Sequence, residues 1–432
     1  MAVRKKKNAP SKLEEIKKSS ENLRGSIGDE LRNDSPALSD GAKQLLKFHG
    51  SYQQEDRDAR KNRSKTGIKK HHMFMVRCKI PGGKVTAEQY LAVDDLAEKY
   101  ANGTLRLTTR QGIQLHGVLK ENLQATISEI NQCLLTTLGA CGDVNRNVMC
   151  CPAPLYQNGV REQMQQFANA IAEHLAPRTG AYHEIWLNGE NVNGRKKRER
   201  EPIYGKVYLP RKFKVGISLP EDNCVDVYTQ DLGFVAIVEN GEIQGFDVLC
   251  GGGWGMTRGN NATFPCLGKP VCFIPADRVV PTAEAVVKLF RDHGDRSNRK
   301  HARLKYVMDE WGVAKFRREL KGYMGHPLKR PVKVEINGYE THVGAHEQGD
   351  GSWFYGVSVE SGRIKDEGDF RLRTALREIV QQWSPMIRLT PNQDILFCDL
   401  PKKAITAIRK TLKGHGVPLS EKLTPLRQLS MS

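Results

Sequence analysis

Positively charged side chains gather in a few short stretches of this chain, and their types suit a small oxyanion or a ligand fringed with carboxylates. Arg77 lies in MVRCK, Arg106 and Arg110 in LRLTTRQ, Arg146 in DVNRNV, and Arg211, Lys212 and Lys214 in LPRKFK, each beside a predicted strand end or turn. Guanidinium groups offer planar paired donors that match carboxylates, whereas lysine offers a compact charge and a transferable proton. Packed closely, such groups repel one another unless an anion sits among them. Strand alternation places Arg106, Thr108, Arg110, Gly112, Gln114 and His116 on one face, with no large apolar side chain among them. Lys212 and Lys214 share a face in the same way, and Phe213 turns towards the core. The chain has no P-loop and no G-x-G-x-x-G spacing at Gly251, Gly252 and Gly253, so nucleotide fingerprints do not account for the cations. Those three glycines follow a predicted strand over 246–250 and let backbone pass close to a flat ligand.

The elements that must position these residues occur twice. Arg106, Leu107, Thr108 and Gln111 return as Arg388, Leu389, Thr390 and Gln393, and PGGKV at 81–85 has a counterpart in SGRIK at 361–365. Two landmarks repeated in order indicate a duplicated unit. Each copy reads as strand, helix, strand pair and helix, a small α+β sandwich. In the first copy Thr86 caps a helix that ends at Asn102-Gly103, strands fill 104–118 and a helix covers 123–138. In the second, a strand covers 353–359, a helix runs through 370–383, strands fill 386–399 and a helix covers 402–412. The copies diverge where chemistry is at stake, because Arg110, Gln114 and His116 become Asn392, Leu396 and Cys398. Between them the middle section predicts strands over 181–187, 214–219, 225–227, 234–238 and 246–250. Helices are predicted over 283–292 and over a basic stretch from Arg296 through Arg303 to Tyr306. The expected organisation is a basic arm (1–70), a first half-domain (71–140), a central mixed-sheet domain (141–340), a second half-domain (341–418) and a short terminal piece (419–432).

Bulk properties narrow the function classes. With 432 residues, 39% apolar and 27% charged, the chain is long enough for several domains and globular in composition. No apolar run is long enough to span a bilayer, and the basic N-terminus lacks the apolar stretch of a secretory signal, so a cytoplasmic location is expected. The net charge of +18 raises nucleic acid as a partner, but residues 1–70 hold 18 Lys/Arg against 10 Asp/Glu, and the other dense run, RKKRERE at 195–201, is interleaved with acids. A solvated arm and loop explain this charge, and a nucleic-acid-binding role is the rival reading from a different class. The ten cysteines include no C-x-x-C pair, and no metal site is expected from them, Cys266 and Cys272 included.

Several ordered motifs resemble one family. SYQQEDRD, LRLTTRQGIQLHGV, VNRNVM, PRTGAYHEIWLNGE, EPIYGKVYLPRKFK, FVAIVENGEIQGFDVLCGGG and TPLRQLSM are similar to the sirohaem-containing sulfite and nitrite reductases from about Leu23 to the last residue. The resemblance implies two ferredoxin-like half-domains around a central domain that holds sirohaem and a 4Fe-4S cluster. It implies that Arg77, Arg146, Lys212 and Lys214 hold the substrate anion. Arg106, Arg110, Gln114, His116, Arg211 and Arg303 would hold the macrocycle's carboxylates, Asn392 and Gln393 would add cofactor contacts, and Gly251–Gly253 would pack on the ring. The implied reaction is the six-electron reduction of sulfite to hydrogen sulfide, with nitrite reduction to ammonia as the alternative. His116 in RQGIQLHG favours sulfite. The implied electron donor is a flavoprotein reductase subunit or ferredoxin. In the family a segment like TPLRQLSM leads into the cluster cysteines, which this chain does not show. The corresponding expectation is an inactive N-terminal fragment without cluster or axial cysteine ligands, binding sirohaem weakly or not at all. Its central domain would lack strands and leave an open cleft with apolar surface uncovered.

Overall fold

Alternating apolar residues build three five-stranded sheets in the computed structural model, which describes residues 9–55, 70–156, 159–187 and 200–429. The first sheet runs Ser51–Glu55, His72–Arg77, Ile113–Val118, Leu105–Leu107 and Arg363–Ile364. Its counterpart runs Gly344–Glu347, Trp353–Val357, Ile395–Leu400, Met386–Leu389 and Lys84–Val85. The two sheets therefore exchange their edge strands. Lys84–Val85 of the first repeat pairs with Met386–Leu389, and Arg363–Ile364 of the second pairs with Leu105–Leu107. These edges are the PGGKV and SGRIK patches, so the duplicated landmarks are the segments that lock one copy to the other.

Paired glutamines brace the same junction. Gln111 and Gln393 both adopt left-handed backbone, with φ of 52° and 70°. Gln111 Nε2 donates to the carbonyls of Leu389 (3.0 Å), Cys150 (3.0 Å) and Gly82 (3.2 Å), and Gln393 Nε2 donates to that of Leu107 (2.7 Å). The neighbouring turns must be glycine, because a Cβ on Gly83 or Gly362 would lie 2.4 Å from the Leu389 or Leu107 oxygen respectively. On the outer face, Asp94 accepts from Arg373 Nε and Arg377 Nη1, each at 2.7 Å, tying the helices Ala87–Tyr100 and Leu372–Trp383 together. Thr86 closes a capping box with Gln89 at the start of the first of these helices.

The central sheet is mixed: Met149–Cys150, Val215–Ser218 and Leu232–Glu239 are parallel, and Glu242–Cys250 and Lys269–Pro275 add antiparallel. The helices Val160–His174 and Val279–His293 pack against each other, and Leu304–Met324 packs on Val279–His293 and Lys269–Pro275. Phe213, Phe234, Phe246 and Phe290 are wholly buried among these elements. The expectation of a central sheet short of strands is not supported. Exposed apolar side chains do occur on the loop after this sheet's longest strand, at Trp254, Met256 and Leu267.

Several local expectations are corrected. Residues 181–187 form a helix, Ala181–Trp186, because Tyr182 and Trp186 lie four apart and bury one helical face. Residues 225–227 are turn backbone leading into a single helical turn at Val227–Thr229. The basic segment from Arg296 to Arg303 is irregular, and its helix begins at Leu304. Arg296 and Arg299 there are held by Glu14 and Asp143. The leading arm is folded over residues 9–55: Leu23, Ile27, Leu46 and Phe48 are buried in the main core, and Ser51–Glu55 is an edge strand of the first sheet. Residues 56–69 of the arm and most of the 195–201 loop lie outside the described residues.

Candidate functional site

A cleft of about 170 Å³ opens where the first half-domain meets the central sheet. Its lining includes Arg77, Arg110, Arg146, Lys212 and Lys214, with Thr108 and Asn147, and, among the described residues, no carboxylate. The five cations arrive from four segments of the chain. Arg77 ends the strand His72–Arg77, Arg110 sits in the tight turn after Leu105–Leu107, and Arg146 precedes Met149–Cys150. Lys212 and Lys214 lead into Val215–Ser218, with Phe213 buried between them.

The arginines are fixed by carbonyls. Arg146 donates from Nε to the Gly142 carbonyl at 2.8 Å. Arg110 is anchored more fully: Nη1 donates to Gln230 Oε1 at 2.8 Å and Nη2 to the carbonyls of Asn147 (2.5 Å) and Val215 (3.0 Å). Its Nε is buried without a partner among the described residues. Burial lowers the Arg110 pKa, reinforced by Arg146, Arg303 and Arg77. The Gln114 amide lies between two side chains, its oxygen accepting from Arg77 Nε at 2.7 Å and its nitrogen donating to His116 Nε2 at 3.1 Å. His116 can accept because burial, with Arg106, Arg77 and Arg363 nearby, holds its pKa at about 4 and the ring neutral.

The lysines lack compensation of this kind. Burial, with Arg146, Arg303 and Arg211 close by, brings Lys212 down to about 8. Burial with Arg110, Arg303 and Lys212 brings Lys214 well below its ordinary value. The opposing carboxylate is Asp231, which is wholly buried and engaged on both oxygens by Arg303 at 3.0 and 2.8 Å. A group of cations with one committed acid attracts an anion.

The remaining sequence-predicted residues divide. Arg106 and His116 line a second cavity of about 430 Å³ with Arg363 and Lys365, so the six-residue face does not form one site. The strand breaks at residues 108–112, where Gln111 is left-handed, and this turn sends Arg110 into the first cleft. Arg211 is half-buried near Arg146 and Asp143, and Arg303 borders the cleft through Asp231. Asn392 and Gln393 do not join the group: Asn392 Oδ1 accepts from the Tyr339 hydroxyl at 2.9 Å, and Gln393 braces the half-domains. In the glycine run, Gly252 packs on the chain itself. A Cβ on Gly252 would stand 2.2 Å from the Tyr228 oxygen, so the close approach that requires glycine there is to the chain's own backbone. The expectation of no metal ligands is not confirmed. Cys151, Asp222, Cys224 and His342 are buried with their donor atoms all within 4.8 Å of one another.

Two ferredoxin-like half-domains clasped around a mixed sheet, with a cationic cleft where the first of them meets that sheet, define the class of protein. A family model described as the nitrite/sulfite reductase ferredoxin-like half domain matches residues 67–133 and 345–415, and one described as the nitrite and sulphite reductase 4Fe-4S domain matches residues 166–328. The chain belongs to the nitrite and sulphite reductase family. It is 47% identical over 423 residues to the sulfite reductase [NADPH] hemoprotein beta-component of Staphylococcus saprophyticus, covering 97% of this chain and 74% of that protein. The protein of the same name from Geobacillus kaustophilus is 46% identical, covering 98% of this chain and 74% of that protein. Sulfite reductase [ferredoxin] of Synechococcus elongatus is 43% identical, covering 98% and 70%. The solved structure of Mycobacterium tuberculosis NirA protein shares the fold, with a TM-score of 0.73 at 23% identity, over 96% of this chain and 70% of that one. These matches do not support the expectation of an inactive fragment.

Proposed function

We propose that this chain is the sirohaem-binding haemoprotein of a sulfite reductase and reduces sulfite to hydrogen sulfide with six electrons. The observation that carries the reading is the cleft lined by five cations and, among the described residues, no acid. The residues fit the cofactor on chemical grounds, since sirohaem is rimmed with carboxylates and the cleft edge supplies Arg110, whose buried Nε has no partner among the described residues, with Arg211 and Arg303 nearby and Arg106 and His116 in a second cavity. Sirohaem held by these residues would pass electrons from the donor to the bound anion.

Arg77 and Arg146 draw in the anion and fix its orientation through donors held by neighbouring carbonyls. Lys212 and Lys214 place ammonium groups against its oxygens. With a pKa of about 8, Lys212 is charged at neutral pH yet gives up its Nζ proton readily, which suits protonation of an oxygen leaving as water. Asp231 keeps Arg303 in place and moderates the repulsion among its neighbours. Electrons come from a separate donor, a flavoprotein reductase subunit or ferredoxin, the protein acting in the cytoplasm; among the described residues no helix is long and apolar enough to cross a membrane.

Steady-state kinetics of the cofactor-loaded protein on sulfite and nitrite with a reduced dye as donor tests the proposal. Higher kcat/KM on sulfite is expected. Much higher efficiency on nitrite would transfer the reading to nitrite reduction, and loss of neither activity in Lys214→Met would refute the role given to the cleft.

A further inference from the structure

Away from the cationic cleft, four side chains from three separate stretches converge in the protein interior. Cys151 follows the strand Met149–Cys150, Asp222 and Cys224 lie in the loop after Val215–Ser218, and His342 lies in the segment leading to the second half-domain. All are buried, at 5% exposure or less. Cys151 Sγ stands 2.8 Å from Asp222 Oδ2 and 3.5 Å from His342 Nε2, and His342 Nε2 stands 3.1 Å from Asp222 Oδ2. Cys224 Sγ completes the set within 4.8 Å. In a tetrahedral zinc site with metal–sulfur bonds of about 2.3 Å and metal–nitrogen or metal–oxygen bonds of about 2.0–2.2 Å, the donors lie roughly 3.4–3.8 Å apart. The separations among Cys151, Asp222 and His342 equal that spacing or fall short of it, and Cys224 Sγ lies within 4.8 Å of each, so a small adjustment of the donors admits one ion.

We propose that Cys151, Asp222, Cys224 and His342 form a structural site for one divalent zinc-class cation. The set is closed, with four protein ligands and no open position, which is the arrangement of structural rather than catalytic zinc. Two thiolates, a carboxylate and a neutral imidazole around a divalent ion leave a net charge of −1. Arg161 supplies the balancing charge, its guanidinium donating to Cys151 Sγ and, at 2.9 Å, to Asp222 Oδ2 from outside the ligand set. The donors are too close together to be the outer ligands of a four-iron cluster, whose irons each need a separate ligand around a larger body. The site is thus independent of the cofactor chemistry proposed above.

Its place in the fold gives it a purpose. The loop holding Asp222 already hydrogen-bonds the 337–338 segment: Asn337 N donates to the Pro220 carbonyl at 2.9 Å, and Asn223 N donates to the Gly338 carbonyl at 3.0 Å. An ion held by Cys151 and Cys224 of the central domain and by His342 clamps the entry to the second half-domain onto the central sheet.

The test is the zinc content of the full chain, purified with its thiols kept reduced after growth with added zinc, joined to zinc-edge X-ray absorption. One zinc per chain is expected, with two sulfur and two nitrogen or oxygen ligands. Cys224→Ser should lose one sulfur from that shell or reduce retained zinc at least tenfold. Should that variant not fold, Asp222→Cys provides a gain of signal, raising the sulfur count to three. Wild-type protein retaining less than about a tenth of an equivalent, a shell without sulfur, a shell unchanged in either variant, or a Cys151–Cys224 disulfide in the reduced preparation would each overturn the site.

Discussion

Replacing Lys212 with Met should change how stability and anion binding respond to pH. In the folded protein Lys212 has a pKa of about 8 against an ordinary 10.5, mainly because it is buried and also because Arg146, Arg303 and Arg211 face it. Between those two values the unfolded chain keeps a proton that the folded chain has released. Stability contributed by this residue therefore rises with pH across the window, by up to about 1.4 kcal/mol per pH unit and roughly 3 kcal/mol in all. Below about pH 8 both states hold the proton, and the buried charge is fully destabilising. Lys212→Met should thus be more stable than wild type near pH 7 by roughly that amount and should lose the advantage by about pH 10.5. Urea unfolding at about half-unit pH steps measures it, with each variant's slope against denaturant fixed across the series. A bound anion holds Nζ protonated, so sulfite affinity in the wild type should weaken by up to about tenfold per pH unit above pH 8, and this trend should flatten in the variant. Parallel stability profiles for the two proteins would refute the account of Lys212 as a buried, uncompensated cation.

Other perturbations follow from the same packing. Asp231→Asn leaves Arg303 buried without its paired carboxylate and should lower stability by about 3–5 kcal/mol in urea unfolding; a loss below 1 kcal/mol would contradict the pairing. Gln393→Ala, which leaves the Leu107 carbonyl without its donor, should lose about 1–3 kcal/mol, and Gln111→Ala should lose more because three carbonyls depend on it. Gly252→Ala drives a methyl group to within 2.5 Å of the Gln230 oxygen. It should lower the unfolding midpoint and, because Gln230 anchors Arg110, weaken anion binding in a calorimetric titration.

Much of the architecture was legible in the chain because repetition leaves a direct trace. The recurrence of Arg106, Leu107, Thr108 and Gln111 at 388–393 marked two related units, and the cationic stretches pointed to the residues that line the cleft. The exchange of edge strands was not legible, since Lys84–Val85 and Arg363–Ile364 are two residues long and carry no periodic signal. Reading 104–118 as continuous alternation failed at the turn over 108–112, which contains left-handed Gln111 and takes Arg110 off the face of Arg106. Helix Ala181–Trp186 was misread because a short apolar run carries too few residues to distinguish its period. The resemblance gave Gln393 as a cofactor contact, and nothing in its sequence setting signalled that it also braces the half-domains. The Cys151 cluster was invisible for a different reason: its ligands are drawn from positions 151, 222, 224 and 342, and tertiary folding alone brings them together.

The claim beneath all of this is that the cleft cations exist to hold a small oxyanion beside a carboxylate-rimmed cofactor. Equilibrium titration of sulfite into the sirohaem-loaded protein, comparing wild type with Arg146→Gln and Lys214→Met, addresses it most directly. The account predicts one sulfite per chain and at least a tenfold loss of affinity in each variant. Equal affinity in all three proteins would contradict it.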